Sequence, residues 1–313
     1  MKCPICGKDL DLQNKQIGTS ENGDPIFNEY AICHSCKKQW NLDKQRAKKI
    51  AAKKAAEIAA LLPANNLAGP ALFDFAAPAA ALNTAAYTAA DAVKALADEG
   101  SAVTLYAGYG KNVVTALATV NGSTVGIVAT EKVALCHKCT AKAARFVRLC
   151  DAYSIPVITV VNTEGFVKSE GDDQAGGIRQ AARMAGVYAE ATTVKVAVLA
   201  GNAVGAAYTV FAASADWRVA VNGCTVAPLA PEAAVTVLYK DEIFASDNIV
   251  NATKAKAAAY AKDVCSADAA VKNGAADLAV NAADARAAVV QALDMLASKR
   301  AVRLAKKHGN ITL

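Results

Sequence analysis

Downstream of Tyr87 the apolar positions of the chain alternate between helical and strand spacing. Apolar residues recur every third or fourth position over Thr88 to Ala97 and stop at Glu99-Gly100, which predicts an amphipathic helix. Asn112 to Val120 and Thr124 to Thr130 flank Asn121-Gly122, which predicts a hairpin closed by a two-residue turn. A helix is expected over Thr140 to Tyr153. Val157 to Asn162 is then apolar or β-branched at nearly every position, the mark of a strand covered on both faces. The alternation continues as helix Gly176 to Ala191, strand Lys195 to Ala200, helix Ala203 to Ser214, strand Trp217 to Val221 and helix Pro231 to Tyr239. Strands and helices in this order predict an α/β fold, a largely parallel sheet between covering helices.

The start of the chain is built differently. Cys3-Pro-Ile-Cys6 and Cys33-His-Ser-Cys36 are two C-x-x-C knuckles. Each aims two thiolates at one point, and four thiolates complete the closed tetrahedral shell of a structural Zn²⁺, with no position left for a catalytic water. The segment between them, with Gly18, Asn22-Gly23 and Pro25, reads as a β-hairpin too small to fold without the metal. Two free dithiols are the alternative reading. Residues 1–41 are therefore expected to form a zinc ribbon. Lys44, Arg46, Lys48, Lys49, Lys53 and Lys54 follow on an expected helix over 42–62. That helix reads as a solvated linker; its charge would equally suit phosphates or an acidic protein face. Nucleic acid is not the expected partner, because no aromatic residues are interleaved with the lysines. Residues 63–313 remain for one large domain.

Composition adjusts this picture in two ways. Hydrophobic residues make up 54% of the 313 but aromatic ones only 6%, and alanine dominates, so the core must be extensive to bury enough area. With 20% charged residues and a formal net charge of +6, a disordered chain is excluded. The apolar runs are short and interrupted, so no membrane insertion is expected. Met-Lys-Cys-Pro-Ile-Cys does not have the layout of a secretory signal, and a cytoplasmic protein is expected. In a reducing compartment nine cysteines argue for metal ligation or free thiols rather than disulfides. Cys150, Cys224 and Cys265 read as small core residues. Cys136-His-Lys-Cys139 is a single C-x-x-C, read as inert thiols or as redox or metal chemistry.

Only three histidines are present, and no G-x-S-x-G elbow, P-loop or dinucleotide fingerprint follows a strand. Glycines stand there instead, in Val161-Asn162-Thr163-Glu164-Gly165-Phe166 and in Ala200-Gly201-Asn202-Ala203-Val204-Gly205-Ala206. Such glycines serve either tight strand-to-helix packing or backbone N–H donation to an oxyanion at the sheet's carboxyl edge.

Several segments resemble the C-terminal domain of biotin-dependent acyl-CoA carboxyltransferases, in collinear order. Asp91 to Thr130 resembles the opening of that domain, and Ala141 to Val157 resembles the helix and strand before its "D-T-P-G-F" loop, here Asn162-Thr163-Glu164-Gly165-Phe166. Gly176-Gly177-Ile178-Arg179 is similar to "G-G-I-I-R", Tyr188 to Thr192 to "Y-A-E-A-T", Ala203 to Tyr208 to "A-Y-G-G-A-Y", and Pro231 to Val235 to "P-E-G-A-V". The resemblance implies a crotonase-like fold, a spiral of ββα units. It also implies CO₂ transfer between carboxybiotin and the α-carbon of an acyl-CoA or keto acid, in either direction, through an enolate held by backbone oxyanion holes. On that basis Gly165, Phe166, Gly205 and Ala206 are the expected catalytic backbone donors, and Gly176 and Gly177 are expected to shape the biotin or acyl pocket.

The resemblance further implies a separate biotin carrier protein and an N-type carboxyltransferase subunit or a homo-oligomer, because the chain shows one such domain and no biotin-attachment motif. Its departures are Ala206 for the second glycine, Glu164 for proline, and Cys136-His-Lys-Cys139 where the family carries an acidic segment. They leave two alternatives open: a non-catalytic assembly or regulatory subunit, and a biotin-independent crotonase-type CoA decarboxylase or hydrolase.

Overall fold

The computed structural model describes residues 1–20, 24–65 and 72–301 and divides into two compact units, Met1–Ala60 and Leu61–Leu313. In the first unit β1 (Asp11–Thr19), β2 (Pro25–Cys33) and β3 (Lys38–Asn41) form an antiparallel sheet in that order, and α1 (Leu42–Leu61) follows. The Asn22-Gly23 turn signal lies outside the described residues. Every residue of β1 is exposed, and nothing but Cys3, Ala31, Cys33 and Leu42 is buried among residues 1–20 and 24–60. Asn41 caps the helix by accepting the Lys44 N–H at 2.8 Å, and Arg46 bridges Glu29 and Asp43 at 2.8 and 3.2 Å.

The second unit begins with α2 (Ala89–Leu96), β4 (Val103–Leu105), β5 (Val113–Val120), β6 (Ser123–Thr130), α3 (His137–Ala152) and β7 (Val157–Val161). Next come α4 (Glu170–Gln174), α5 (Gly177–Glu190), β8 (Lys195–Leu199), β9 (Asn202–Val204), α6 (Ala206–Phe211), β10 (Trp217–Val221) and β11 (Thr225–Ala227). It closes with α7 (Pro231–Leu238), α8 (Lys240–Phe244), α9 (Ile249–Val264), α10 (Ala267–Lys272), β12 (Leu278–Val280) and α11 (Ala285–Leu296). Seven strands form one sheet, ordered β12-β10-β8-β7-β6-β5-β4, parallel from β12 to β6 and antiparallel at β5 and β4.

Helices cover both faces, which is why the central strands lack alternation. Ala116, Ala118, Ile127, Val160 and Val198 face α2 and α11 in one apolar cluster. The opposite face meets α3 so closely that a Cβ on Gly126 would stand 2.4 Å from Cys150 Sγ. Cys150 is fully buried there, and burial pushes its thiol far up. The β5–β6 hairpin closes over Asn121 and Gly122, both at positive φ, as the turn signal predicts. Asp98 anchors this turn: it accepts the N–H groups of Asn121 and Gly122 at 3.0 and 2.9 Å, and Arg286 of α11 at 2.6 Å.

Two expectations about element bounds change. The helix expected from Ala203 starts at Ala206, because residues 202–204 pair with 225–227 as the parallel strands β9 and β11. The helix expected from Thr140 starts at His137, because the Cys139 N–H bonds to Cys136 O at 2.9 Å and closes a first turn. The short β9 and β11 after long β8 and β10, each leading into a helix, give the ββα repeat. Among the described residues no helix is long and apolar enough to cross a membrane.

Candidate functional site

The two glycine-containing segments meet at the carboxyl edge of the sheet. They are tied to each other by Asn162, a buried residue at the end of β7: its Oδ1 accepts the Asn202 N–H at 3.1 Å, while the Thr163 N–H bonds to Asn202 O at 2.9 Å. Gly201 is what lets the side chain in, since a Cβ there would fall 2.3 Å from Asn162 Oδ1. Sequence reasoning missed this brace; the glycine directly after a strand was its one visible signal.

The first segment is held from the other side by the residues before α3. The Leu135 N–H bonds to Gly165 O at 2.8 Å and the Val167 N–H to Leu135 O at 3.0 Å, a one-residue parallel bridge between Leu135 and Phe166. In such a bridge the N–H of the central residue points away from its partner strand. Among the described residues the Phe166 N–H has no hydrogen-bond partner, whereas the Gly165 N–H turns back to Thr163 Oγ1 at 3.3 Å. Gly165 itself has φ +97°, which only glycine adopts readily. The Phe166 ring stacks on Phe211 of α6, centroids 6.4 Å apart, so the first segment also rests on the helix that follows the second.

In the second segment the expected donation from Gly205 is corrected. Its N–H bonds to Ala227 O at 2.8 Å, continuing the β9–β11 pairing, and is not available to a ligand. Gly205 acts through its backbone: with φ +56° and ψ −123° it turns the chain so that Ala206 opens α6. Ala206 is exposed at the first helical position, and its N–H has no partner among the described residues. Alanine in place of glycine is harmless there, because the strained angle falls on Gly205.

Both segments line one cavity of about 1150 Å³, walled by residues 228–232 at the start of α7 and by Lys254, Ala257, Ala258 and Ala261 of α9. It brings Gly165, Phe166, Gly205 and Ala206 together; Glu164 is on its wall and exposed. Gly176 and Gly177 are not on that wall, although Asp173 and Ile178 beside them are. Gly176, at φ +87°, gives its N–H to Asp173 O, and Gly177 makes room for Asp172, whose Oδ2 would lie 2.6 Å from a Cβ. Asp172 in turn accepts the His137 N–H at 3.0 Å and Nδ1 at 2.6 Å. Burial alone would raise this carboxyl, but the bonds from His137 outweigh it and hold it below the ordinary range. The two glycines thus shape the wall from behind.

In the first unit the sulfurs of Cys3, Cys6, Cys33 and Cys36 lie within 4.8 Å of one another, with Cys3–Cys36 at 3.9 Å and Cys6–Cys33 at 3.5 Å. Each knuckle turns a backbone N–H onto its first sulfur, Ile5 to Cys3 Sγ and Cys36 to Cys33 Sγ, both at 3.4 Å, and Gly7 and Lys37 follow at positive φ. Burial would raise the Cys3 thiol, but the N–H groups of Cys6 and Ile5 bring it down to about 7. Cys36 is pushed up to about 12, chiefly by the Cys6 sulfur beside it. A tetrahedral tetrathiolate metal with bonds of about 2.3 Å has edges of roughly 3.8 Å, so the four residues fit such an ion.

The family described as carboxyl transferase domain matches residues 51–311. The chain is 32% identical over 235 residues to the methylmalonyl-CoA decarboxylase subunit alpha of Propionigenium modestum, covering 73% of this chain and 46% of that protein. It is 35% identical over 231 residues to the methylmalonyl-CoA carboxyltransferase 12S subunit of Propionibacterium freudenreichii subsp. shermanii, covering 72% and 44%. The chain therefore spans about half the length of these relatives. Among solved structures, the transcarboxylase 12S subunit with methylmalonyl-coenzyme A and methylmalonic acid bound superposes with a TM-score of 0.76 at 30% identity, over 83% of this chain and 53% of that one.

Proposed function

The chain belongs to the carboxyl transferase domain family, and from that premise we propose that it is a carboxyltransferase subunit of a biotin-dependent acyl-CoA carboxylase or decarboxylase. The observation that carries the reading is the pair of backbone donors, Phe166 N–H and Ala206 N–H, on one cavity at the sheet's carboxyl edge. Carboxyl transfer at the α-carbon of a thioester passes through an enolate, whose oxygen needs preorganised donors and no acid or base from the protein. Methylmalonyl-CoA and propionyl-CoA are the substrates we favour, on the names of the relatives. Biotin is supplied by a separate carrier protein, and a second crotonase-fold domain, on an N-type subunit or another copy, completes the acyl-CoA site. Structural Zn²⁺ held by Cys3, Cys6, Cys33 and Cys36 organises the ribbon.

Native purification followed by intact-complex mass spectrometry and a carboxyl-transfer assay tests this. We expect a biotinylated chain, a second crotonase-fold domain, one zinc per chain, and turnover of methylmalonyl-CoA that avidin blocks. Gly205→Val displaces Ala206 and is expected to cut turnover about 10²–10³-fold with the complex intact. An unchanged rate in that variant would make the chain a non-catalytic subunit. Avidin-insensitive turnover by the chain alone would assign it to the biotin-independent enzymes.

A further inference from the structure

The cavity does not use Cys136 or Cys139. These two sit at the start of α3 with their sulfurs 3.3 Å apart. Cys136 is half-buried and meets solvent, while Cys139 is fully buried. The Lys142 ammonium, one helical turn on, is within electrostatic reach of the Cys139 sulfur. Lys142 is itself buried and fixed by a 2.7 Å bond to Val113 O. The buried Lys142 cation works against the burial that keeps the Cys139 thiol protonated.

We propose that Cys136 and Cys139 form a redox-active dithiol, a site of thiol–disulfide exchange with low-molecular-weight disulfides that is separate from the ribbon cysteines and from the cavity. Cys136 as thiolate attacks one sulfur of RS–SR, forming Cys136–S–S–R and expelling RS⁻. Cys139 then loses its proton and attacks Cys136 Sγ, forming the Cys136–Cys139 disulfide and expelling the second RS⁻. The low-molecular-weight disulfide gains two electrons and the two protons of the protein thiols and leaves as two RSH. The ordering of accessible attacker and buried resolver follows from the exposure of the two residues. Burial pushes the Cys139 thiol up to about 11, so it resolves the adduct and does not initiate it.

Lys138 lies between the two cysteines, so trypsin reads the state directly. The full chain is incubated in glutathione buffers from fully reduced to fully oxidised, alkylated, digested and weighed. Peptides 133–138 and 139–142 are expected joined by a disulfide in most molecules in oxidised glutathione, and separately alkylated again after reduction. Buried Cys150 in the same digest is expected to stay unmodified until the protein is denatured. Cys139→Ser, or Cys139→Ala if the serine variant fails to fold, is expected to stop at one glutathione on Cys136, and Cys136→Ser to abolish both products. The proposal is overturned if the wild-type peptides stay separate in oxidised glutathione, or if a Cys136 adduct accumulates in the wild type without the cross-link.

Discussion

The amino-terminal unit and the sheet body solve the folding problem by opposite means. Strand β1 is exposed along its whole length, and two of the four buried residues among the unit's described ones are cysteines. The body buries both faces of β7 and β8 and most of β5 and β6 under helices. At about 25 cal/mol per Å² of apolar surface, the first unit cannot offset its chain entropy by burial, whereas the alanine-rich body reaches stability through many small contacts. With the zinc proposed above, a few metal–thiolate bonds would hold one unit while many weak contacts hold the other, and the two should fail under different insults.

The largest separation is expected from metal removal. A strong chelator, or Cys33→Ser, should unfold β1 to β3, with a loss on the order of 10 kcal/mol of metal-linked stability, and leave the body's amide protection unchanged. Hydrogen exchange read by mass spectrometry resolves the two, and concerted loss of both would refute the division. Asp98→Ala should do the reverse, costing the body about 3–5 kcal/mol in urea unfolding because Arg286 and two turn N–H groups lose their acceptor.

The same carboxylate gives a pH signature. Burial would raise it, but the bonds from Gly122, Thr119, Arg286 and Asn121 hold it below the ordinary range. Its stabilising contribution is therefore complete above its unfolded value, near 4, and is lost as the pH falls through the lower folded value. Asp98→Asn should flatten the acid limb of the stability profile. Smallest is Gly126→Ala, expected to cost about 1–3 kcal/mol through the clash with Cys150 Sγ and to be largely rescued by Cys150→Ala. Absence of rescue would mean that Phe146, also in the way, sets the limit.

The elements with strong local signals were legible. Val157–Val161, Trp217–Val221 and the Asn121-Gly122 turn stand where composition and turn chemistry put them. Those whose identity depends on a distant partner were not. Residues 202–204 become a strand because 225–227 pair with them, and α9 escaped notice because Ala257 is the one residue it buries, leaving no apolar stripe to read. At the cavity, the positions of Gly165 and Gly205 were legible as punctuation after strands. Which N–H is left unpaired was not, since Ala227, far along the chain, pairs with the Gly205 N–H, while among the described residues the Ala206 N–H has no partner.

The Asn162 brace has a consequence for motion and for engineering. With Asn162 and Thr163 both fastened to Asn202, and Phe166 stacked on Phe211, the two donor-bearing segments are cross-linked at both ends and travel as one body. Among the described residues the opposite wall, α7 to α9, has no such tie: its small cluster of Val235, Ile243 and Ala257 is separate from the main core. A graft of either segment into a related scaffold must carry positions 162–163 and 201–202 together, because half of the brace leaves a buried amide with nothing to grip.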